Sequence, residues 1–192
     1  MAELKQRKCK ACKTPFTPAR STQTACGIDC AMQLAHEKKV KVAECDRLDG
    51  VRKDRARKER LKSMSQLAKE AEREVNRYVR ARDAMEGCIS CDKPASWHGQ
   101  WHASHFRSVG AAPQLRFNLW NIHKACSVCN NYLSGNIGHY KPRLINKIGS
   151  DRVEYLLGEN EVRKYNRDYL VRLKKIFSKK AKRKEKENEM LG

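Results

Sequence analysis

The chain has 192 residues, enough for one or two small domains, and no apolar run approaches the ~20 residues that cross a bilayer, which excludes a spanning role. Forty-two Lys and Arg against 22 Asp and Glu give a formal net charge of +20, spread over most of the chain. Such an excess points to a polyanion, because neutralised phosphates release condensed counterions; the plainer alternative is a soluble protein with charged helices.

Nucleic acid is therefore the leading partner class and no membrane partner is expected. The opening stretch MAELKQRKCKACK is basic but has no apolar segment for a secretory signal, so a cytoplasmic location is expected. Nine cysteines are many for that compartment, where clustered Cys hold metal rather than disulfides. Eight form four close pairs, Cys9/Cys12, Cys26/Cys30, Cys88/Cys91 and Cys126/Cys129, which predicts two zinc sites of four thiolates. Cys45 is left over as a spectator thiol in a charged helical segment.

Residues 1–33 read as a small zinc module, C-x2-C-x13-C-x3-C, with the turn-rich KTPFTPARSTQTA between its pairs. So short a segment cannot bury a core of its own, and the metal supplies the folding free energy, about 10 to 16 kcal/mol in small zinc-finger peptides. Folding support is the plain role. Lys5, Arg7, Lys8, Lys10, Lys13 and Arg20 also suit a phosphate-facing knuckle.

Residues 34–86 form a charged helical region without Pro, and its one glycine, Gly50, predicts a break at LDG. Ser63 with Gln66 forms a capping box, after which Leu67, Ala71, Val75 and Val79 recur every four residues as one apolar face. That face is expected to pack on the next domain or on a second copy of the chain. The preceding VRKDRARKERLK is expected to be solvated and available to DNA.

Residues 87–150 hold Trp97, Trp101, Phe106, Phe117, Trp120, Tyr132 and Tyr140 together with five of the six histidines. Near their end, Pro142 and Gly149 frame a short helix, RLINKI. Residues 151–192 predict a longer helix from about 160, carrying Val162, Tyr165, Tyr169, Leu173 and Ile176, then a charged tail, KKAKRKEKENEMLG, that frays and tracks DNA. The expected fold class is α+β, with a zinc module, long charged helices, a zinc-braced core and C-terminal helices.

The chemistry concentrates between Cys91 and Cys126, which are separated by 34 intervening residues. Four thiolates fill the coordination sphere of a tetrahedral zinc, so this metal is a brace rather than a reaction centre. It pins the intervening segment as a loop or hairpin against the element that begins at Cys126. That segment contains WHASHFRS, with His102 and His105 flanked by Trp101, Phe106 and Arg107, and the histidines read equally well as ordinary surface residues.

The arrangement C-x2-C, a hairpin His, then N-[IL]-x3-C-x2-C-N resembles the HNH, or ββα-metal, nucleases braced by a four-cysteine zinc. The matching residues are His105 in SHFRS, Asn121 in NIHKAC and Asn130 in SVCNN. A similar set occurs in the phage Holliday-junction endonuclease VII. The stretch from GCISCD through ASHFRSVGAAPQLRFNLWNIHKACSVCNNYLSGN is more closely similar to the NinG (Rap) family of lambdoid phages. The resemblance implies a recombination endonuclease in the bacterial host cytoplasm that cuts branched DNA such as Holliday junctions and D-loops. It casts His105 as the general base, Asn130 as a ligand to a catalytic Mg²⁺ or Mn²⁺, and Asn121 as the residue that holds the hairpin. Arg107, Arg116 and Lys124 are expected DNA contacts.

One departure stands out. Such sites commonly place an acidic ligand before the base, where this chain has Ser104, and no carboxylate occurs between Asp92 and Asp151. His102 is the first replacement ligand and His139 the second. The gap keeps open a zinc-dependent module that binds branched nucleic acid without cutting it, and an adaptor for recombination proteins of phage or host. Resolving a junction takes two cuts, so a homodimer is expected, through Leu67 to Val79 or the C-terminal helix.

Overall fold

A computed structural model describes residues 5–190. The first four residues of the expected zinc module and the last two of the expected tail lie outside the described residues. The chain divides into two compact units, Met1–Leu61 and Lys62–Gly192, a division that falls inside the expected 34–86 segment.

In the first unit, β1 (Arg7–Lys8) and β2 (Pro15–Phe16) form a two-stranded antiparallel ribbon. It leads to α1 (Ile28–Leu61), a helix of 34 residues with none buried. The expected break at Gly50 does not occur. One glycine costs a helix only about 1 kcal/mol relative to Ala, and the pairs Arg47–Glu44 and Arg52–Asp49 support the turns on either side. The helix ends at Leu61, just before Ser63, where a stronger signal begins.

That signal is the capping box of α2 (Met64–Arg82). Ser63 Oγ accepts from Gln66 N at 3.2 Å, and Gln66 Oε1 accepts from Ser63 N at 2.8 Å. Leu67, Ala71, Val75 and Val79 are all buried, packed on Phe117, Ile122, Leu170 and Phe177 of the same chain. Of the two partners expected for this face, the next part of the same chain or a second copy, the first occupies it.

The second sheet pairs β3 (Trp101–His105) with β4 (Ile122–Cys126), antiparallel, in the register Trp101↔Cys126 to His105↔Ile122. Every residue of β4 is buried, because α2 covers one face and the cluster containing Tyr140 and Leu144 covers the other. Cys126 ends a strand rather than beginning an element, and a π-turn, Val128–Tyr132, follows.

Next come α3 (Ile137–Ile148), α4 (Ser150–Leu157) and α5 (Arg167–Glu189). α3 starts six residues before the expected RLINKI and carries Pro142 inside it, because buried Tyr140 and Leu144 anchor the helix on the hairpin. Tyr140 meets Phe106 edge-on at 5.4 Å and donates to Ser104 O at 3.1 Å. α5 starts later than expected: Asn166 Oδ1 caps Tyr169 N at 2.8 Å, while Tyr165 lies in the lead-in and Val162 is exposed. The expected fraying of the tail is also corrected. Through Glu189 it is helical and docked on α2, with Ala181 buried, Arg77 pairing with Glu185 and Asn188 Nδ2 donating to Ala81 O at 2.8 Å. No helix among the described residues is long and apolar enough to cross a membrane.

Candidate functional site

The eight paired cysteines converge as expected into two groups, Cys9, Cys12, Cys26, Cys30 and Cys88, Cys91, Cys126, Cys129, with sulfurs within 4.8 Å of one another in each. A tetrahedron with Zn–S bonds of ~2.3 Å has edges of about 3.8 Å. Observed sulfur separations are 3.5 Å for Cys12–Cys26, 3.6 Å for Cys26–Cys30 and 3.8 Å for Cys91–Cys126.

Backbone amides aim at these sulfurs as they would at thiolates. Cys126 N donates to Cys88 Sγ at 3.2 Å, and Ser90 N and Cys129 N donate to Cys88 Sγ and Cys126 Sγ at 3.4 Å. Burial pushes the Cys9 thiol up, but donors from Cys26, Cys12 and Ala11 outweigh it and bring it down to about 6. Cys26 is pushed up to about 12 by its neighbours Cys12, Cys30 and Cys9. A divalent cation offsets this crowding of like charge, so both donor sets fit structural zinc. The Gly87 turn is built for the second site, since a Cβ there would lie 2.5 Å from Lys93 O, which accepts from Cys88 N.

The second cysteine group closes the open end of the hairpin, and the candidate chemical residues lie along the hairpin. His102 Nδ1 accepts from Asn130 Nδ2 at 3.1 Å, so the strand and the turn after the last cysteine meet. His105 stands at the other end of β3. Strand alternation sends Trp101, Ala103 and His105 to one face and His102 and Ser104 to the other. The fold thus pairs His102 with Asn130 and places His105 separately, towards Arg116 and Glu72.

His105 Nε2 donates to Arg116 O at 3.0 Å, which leaves Nδ1 with the lone pair of a neutral imidazole. Burial lowers its pKa from the ordinary histidine value, outweighing the upward influence of the Arg116 carbonyl and of Glu72. Arg116 is itself fixed by Glu72, Nη2 to Oε2 at 2.6 Å.

Asn121 is fully buried and bridges the loop between the strands. Its Oδ1 accepts from Arg107 N at 2.8 Å, and its Nδ2 donates to Arg107 O at 2.9 Å and Leu115 O at 3.3 Å. These bonds fasten the loop that carries Arg116 O.

The expected DNA contacts fare unevenly. Lys124 is corrected: it is 4% exposed, its Nζ donates to Ala84 O at 2.8 Å, and it sits 4.3 Å from the Trp101 ring centroid. Arg107 is half-buried and donates to Leu156 O and Leu157 O, both at 3.2 Å, tying the loop to the end of α4. His139 is exposed on the first turn of α3.

Sequence reasoning missed the buried polar network under β4. Asp83, at the end of α2, pairs with Arg82 at 2.7 Å and Lys147 at 3.2 Å and accepts from Lys124 N at 3.1 Å. Burial works to raise its pKa, but Arg82 and Lys147 win and it stays below the ordinary aspartate value. His123 donates to Trp120 O at 3.0 Å and receives Arg82 Nη2 at 3.2 Å, and burial brings its pKa down to about 4. The only sequence signal was Arg-Asp at the end of an amphipathic helix. Asn136 was also missed; it adopts a left-handed conformation at φ 50° and donates to Ser90 O at 2.7 Å, locking the turn beside the zinc ligands.

A family model described as "Bacteriophage Lambda NinG protein" matches residues 1–189. The chain is 42% identical to Protein ninG of Escherichia phage 933W over 165 residues, covering 80% of this chain and 81% of that protein. It is 36% identical to Protein ninG of Escherichia phage lambda and 35% identical to that of Salmonella phage P22, each over 195 aligned positions and 95% of both chains. No solved structure matches.

Proposed function

Because this chain belongs to the NinG family of lambdoid phage proteins, we propose that it is a recombination endonuclease that hydrolyses phosphodiesters in branched DNA. The observation that carries this reading is His105, half-buried and neutral, held through Nε2 by Arg116 O on a loop that Asn121 fastens. A fixed imidazole with its Nδ1 lone pair available suits a general base that takes a proton from the attacking water. Asn130 and His102 are the residues that would hold a divalent ion, Mg²⁺ or Mn²⁺. Both are neutral, so they fit such an ion where substrate phosphates supply the anionic ligands, as is common for Mg²⁺. When bound, the ion stabilises charge on the phosphoryl oxygens and the leaving group.

The test is cleavage of a fixed four-way junction against linear duplex, with and without EDTA, by wild type and His105→Ala. Loss of nicking with junction binding and zinc content retained supports the assignment; cleavage by the variant overturns it. One observation favours a second reading. Asp83, the buried carboxylate under β4, is already committed to Arg82 and Lys147, and the hydrogen bonds of His102 and Asn130 among the described residues include no carboxylate. A module that binds branched DNA without cutting it would show salt-sensitive junction binding and no cleavage in Mg²⁺ or Mn²⁺.

A further inference from the structure

Between the loop after β3 and the lead-in to α5 lies a cavity of about 520 Å³. Its aromatic lining is Phe117, Tyr155, Tyr165 and Tyr169, and its polar lining includes Asn118 and Glu161. Tyr165 and Tyr169 stack at 5.3 Å and 18°, a flat pair of π-faces. At the rim Tyr155 is half exposed and meets the exposed Trp120 edge-on at 5.9 Å, while the Arg152 guanidinium lies 5.0 Å from the Trp120 ring centroid.

We propose that this cavity receives an unpaired nucleobase of the DNA, stacked against its aromatic wall, an inference that rests on the branched-DNA reading above. Three features fit a base better than other ligands. Aromatic faces stack any base, because every base has a π-face. The side-chain amide of Asn118 and the carboxylate of Glu161 match the donor and acceptor edges that a base presents when it is out of a duplex. The charge pattern sets the orientation: two carboxylates, Glu159 and Glu161, against one guanidinium, Arg163 over the Tyr169 ring, line the cavity of a chain whose net charge is +20, so the interior attracts a phosphate less than the outside, where Arg152 stands.

The position also connects to the chemistry. Gln114, Leu115, Phe117 and Asn118 form one wall of the cavity, and Arg116, between them, gives its carbonyl to His105. A nucleobase lodged there places its own backbone on the loop whose Arg116 carbonyl holds His105. Paired duplex offers no such base, whereas a branch point, where stacking is interrupted, offers one at low cost. The cavity thus supplies a physical reason for preferring branched over linear DNA.

The experiment is equilibrium binding without added Mg²⁺ or Mn²⁺, with zinc-loaded full-length protein and a four-way junction carrying unpaired thymines at its centre. A matched probe has abasic residues at those positions, and linear duplex is the third probe. Stacking one base predicts a preference of about tenfold for thymine over abasic residues. Tyr155→Ala and Trp120→Ala abolish that preference while both junctions still bind better than duplex; 2-aminopurine at the unpaired position is quenched by wild type and not by the variants. Equal binding of the thymine and abasic probes by wild type, or an unchanged preference in both variants, overturns the inference and leaves the branched-DNA reading standing. Junctions that bind no better than duplex overturn both.

Discussion

Removing the Asn121 side chain tests whether that residue holds the active loop or takes part in the chemistry. The side chain is fully buried and satisfies Arg107 N, Arg107 O and Leu115 O at 2.8, 2.9 and 3.3 Å. Asn121→Ala leaves Arg107 N and Arg107 O without that partner, each costing ~1 to 3 kcal/mol when buried and unpaired, while Leu115 O keeps its bond from Asn118 N at 3.0 Å. A water in the vacated space recovers part of this, so a net loss of about 3 kcal/mol is expected. The second unit, Lys62–Gly192, has 192 − 62 + 1 = 131 residues. At ~2.1 cal/mol/K per residue its unfolding entropy is roughly 0.28 kcal/mol/K, and the loss corresponds to a fall in Tm of about 11 °C. Urea unfolding of zinc-loaded protein, followed by tryptophan fluorescence, measures the difference. A change below about 1 kcal/mol, the scale of a single ordinary hydrogen bond, would refute the bracing argument and return Asn121 to a purely chemical role.

If His105 is the base, log(kcat/KM) for junction cleavage rises with pH up to a pKa below the ordinary histidine value and is flat above it, because burial depresses that pKa; a limb centred above about 6.5 would contradict it. Lys124→Met keeps the stem over Trp101 but unpairs Ala84 O, so stability falls by ~1 to 3 kcal/mol while the salt dependence of DNA binding is unchanged. A drop of about 0.9 in the slope of log K against log salt would restore Lys124 as a phosphate contact. His123 is neutral in the fold with a pKa of about 4, facing Asp83, Arg82, Lys147 and Tyr140. Between pH 6.5 and 4 the unfolded chain therefore binds more protons than the folded one: the His123 contribution is complete above pH ~6.5 and lost as pH falls, by about 2 kcal/mol at pH 5. His123→Gln lacks this component, and equal acid sensitivity in the two proteins by urea unfolding would refute it.

The parts legible in sequence were those whose physics is local. Cysteine spacing fixes where two sulfurs can grip one metal, and the four-residue recurrence of Leu67, Ala71, Val75 and Val79 fixes one helix face, so both were readable. What covers that face depends on α5, whose charge obscured the buried Leu170, Phe177 and Ala181 beneath it. Lys124 misled for a related reason. A lysine in a strand normally reaches solvent, but β4 is covered on both faces, and its ammonium is satisfied only by Ala84 O at the end of α2 and by Trp101. At the candidate site the sequence supplied His105, Asn121 and Asn130. The carbonyl that orients His105 comes from Arg116, eleven residues away, and no side-chain pattern announces a backbone acceptor.

The committed state of Asp83 has a consequence for metal binding. Drawing its carboxylate towards a cation would take the partly buried Arg82 from its carboxylate and unpair the buried Lys124 N, leaving Lys147 to Glu86 alone, at several kcal/mol. A divalent ion at Asn130 and His102 then meets two side chains that bring no negative charge, and the surrounding +20 charge repels it in the free protein. Phosphate oxygens reverse both terms, supplying anionic ligands and cancelling the repulsion. By linkage, DNA must raise metal affinity by the factor by which metal raises DNA affinity. Titrating Mn²⁺ into zinc-loaded His105→Ala is therefore expected to show only weak binding alone and at least tenfold tighter binding with a four-way junction, after correction for the DNA's own Mn²⁺ uptake. Equally tight Mn²⁺ binding without DNA would mean that the protein provides a complete cation site, and the substrate-completed site argued from Asp83 would fall.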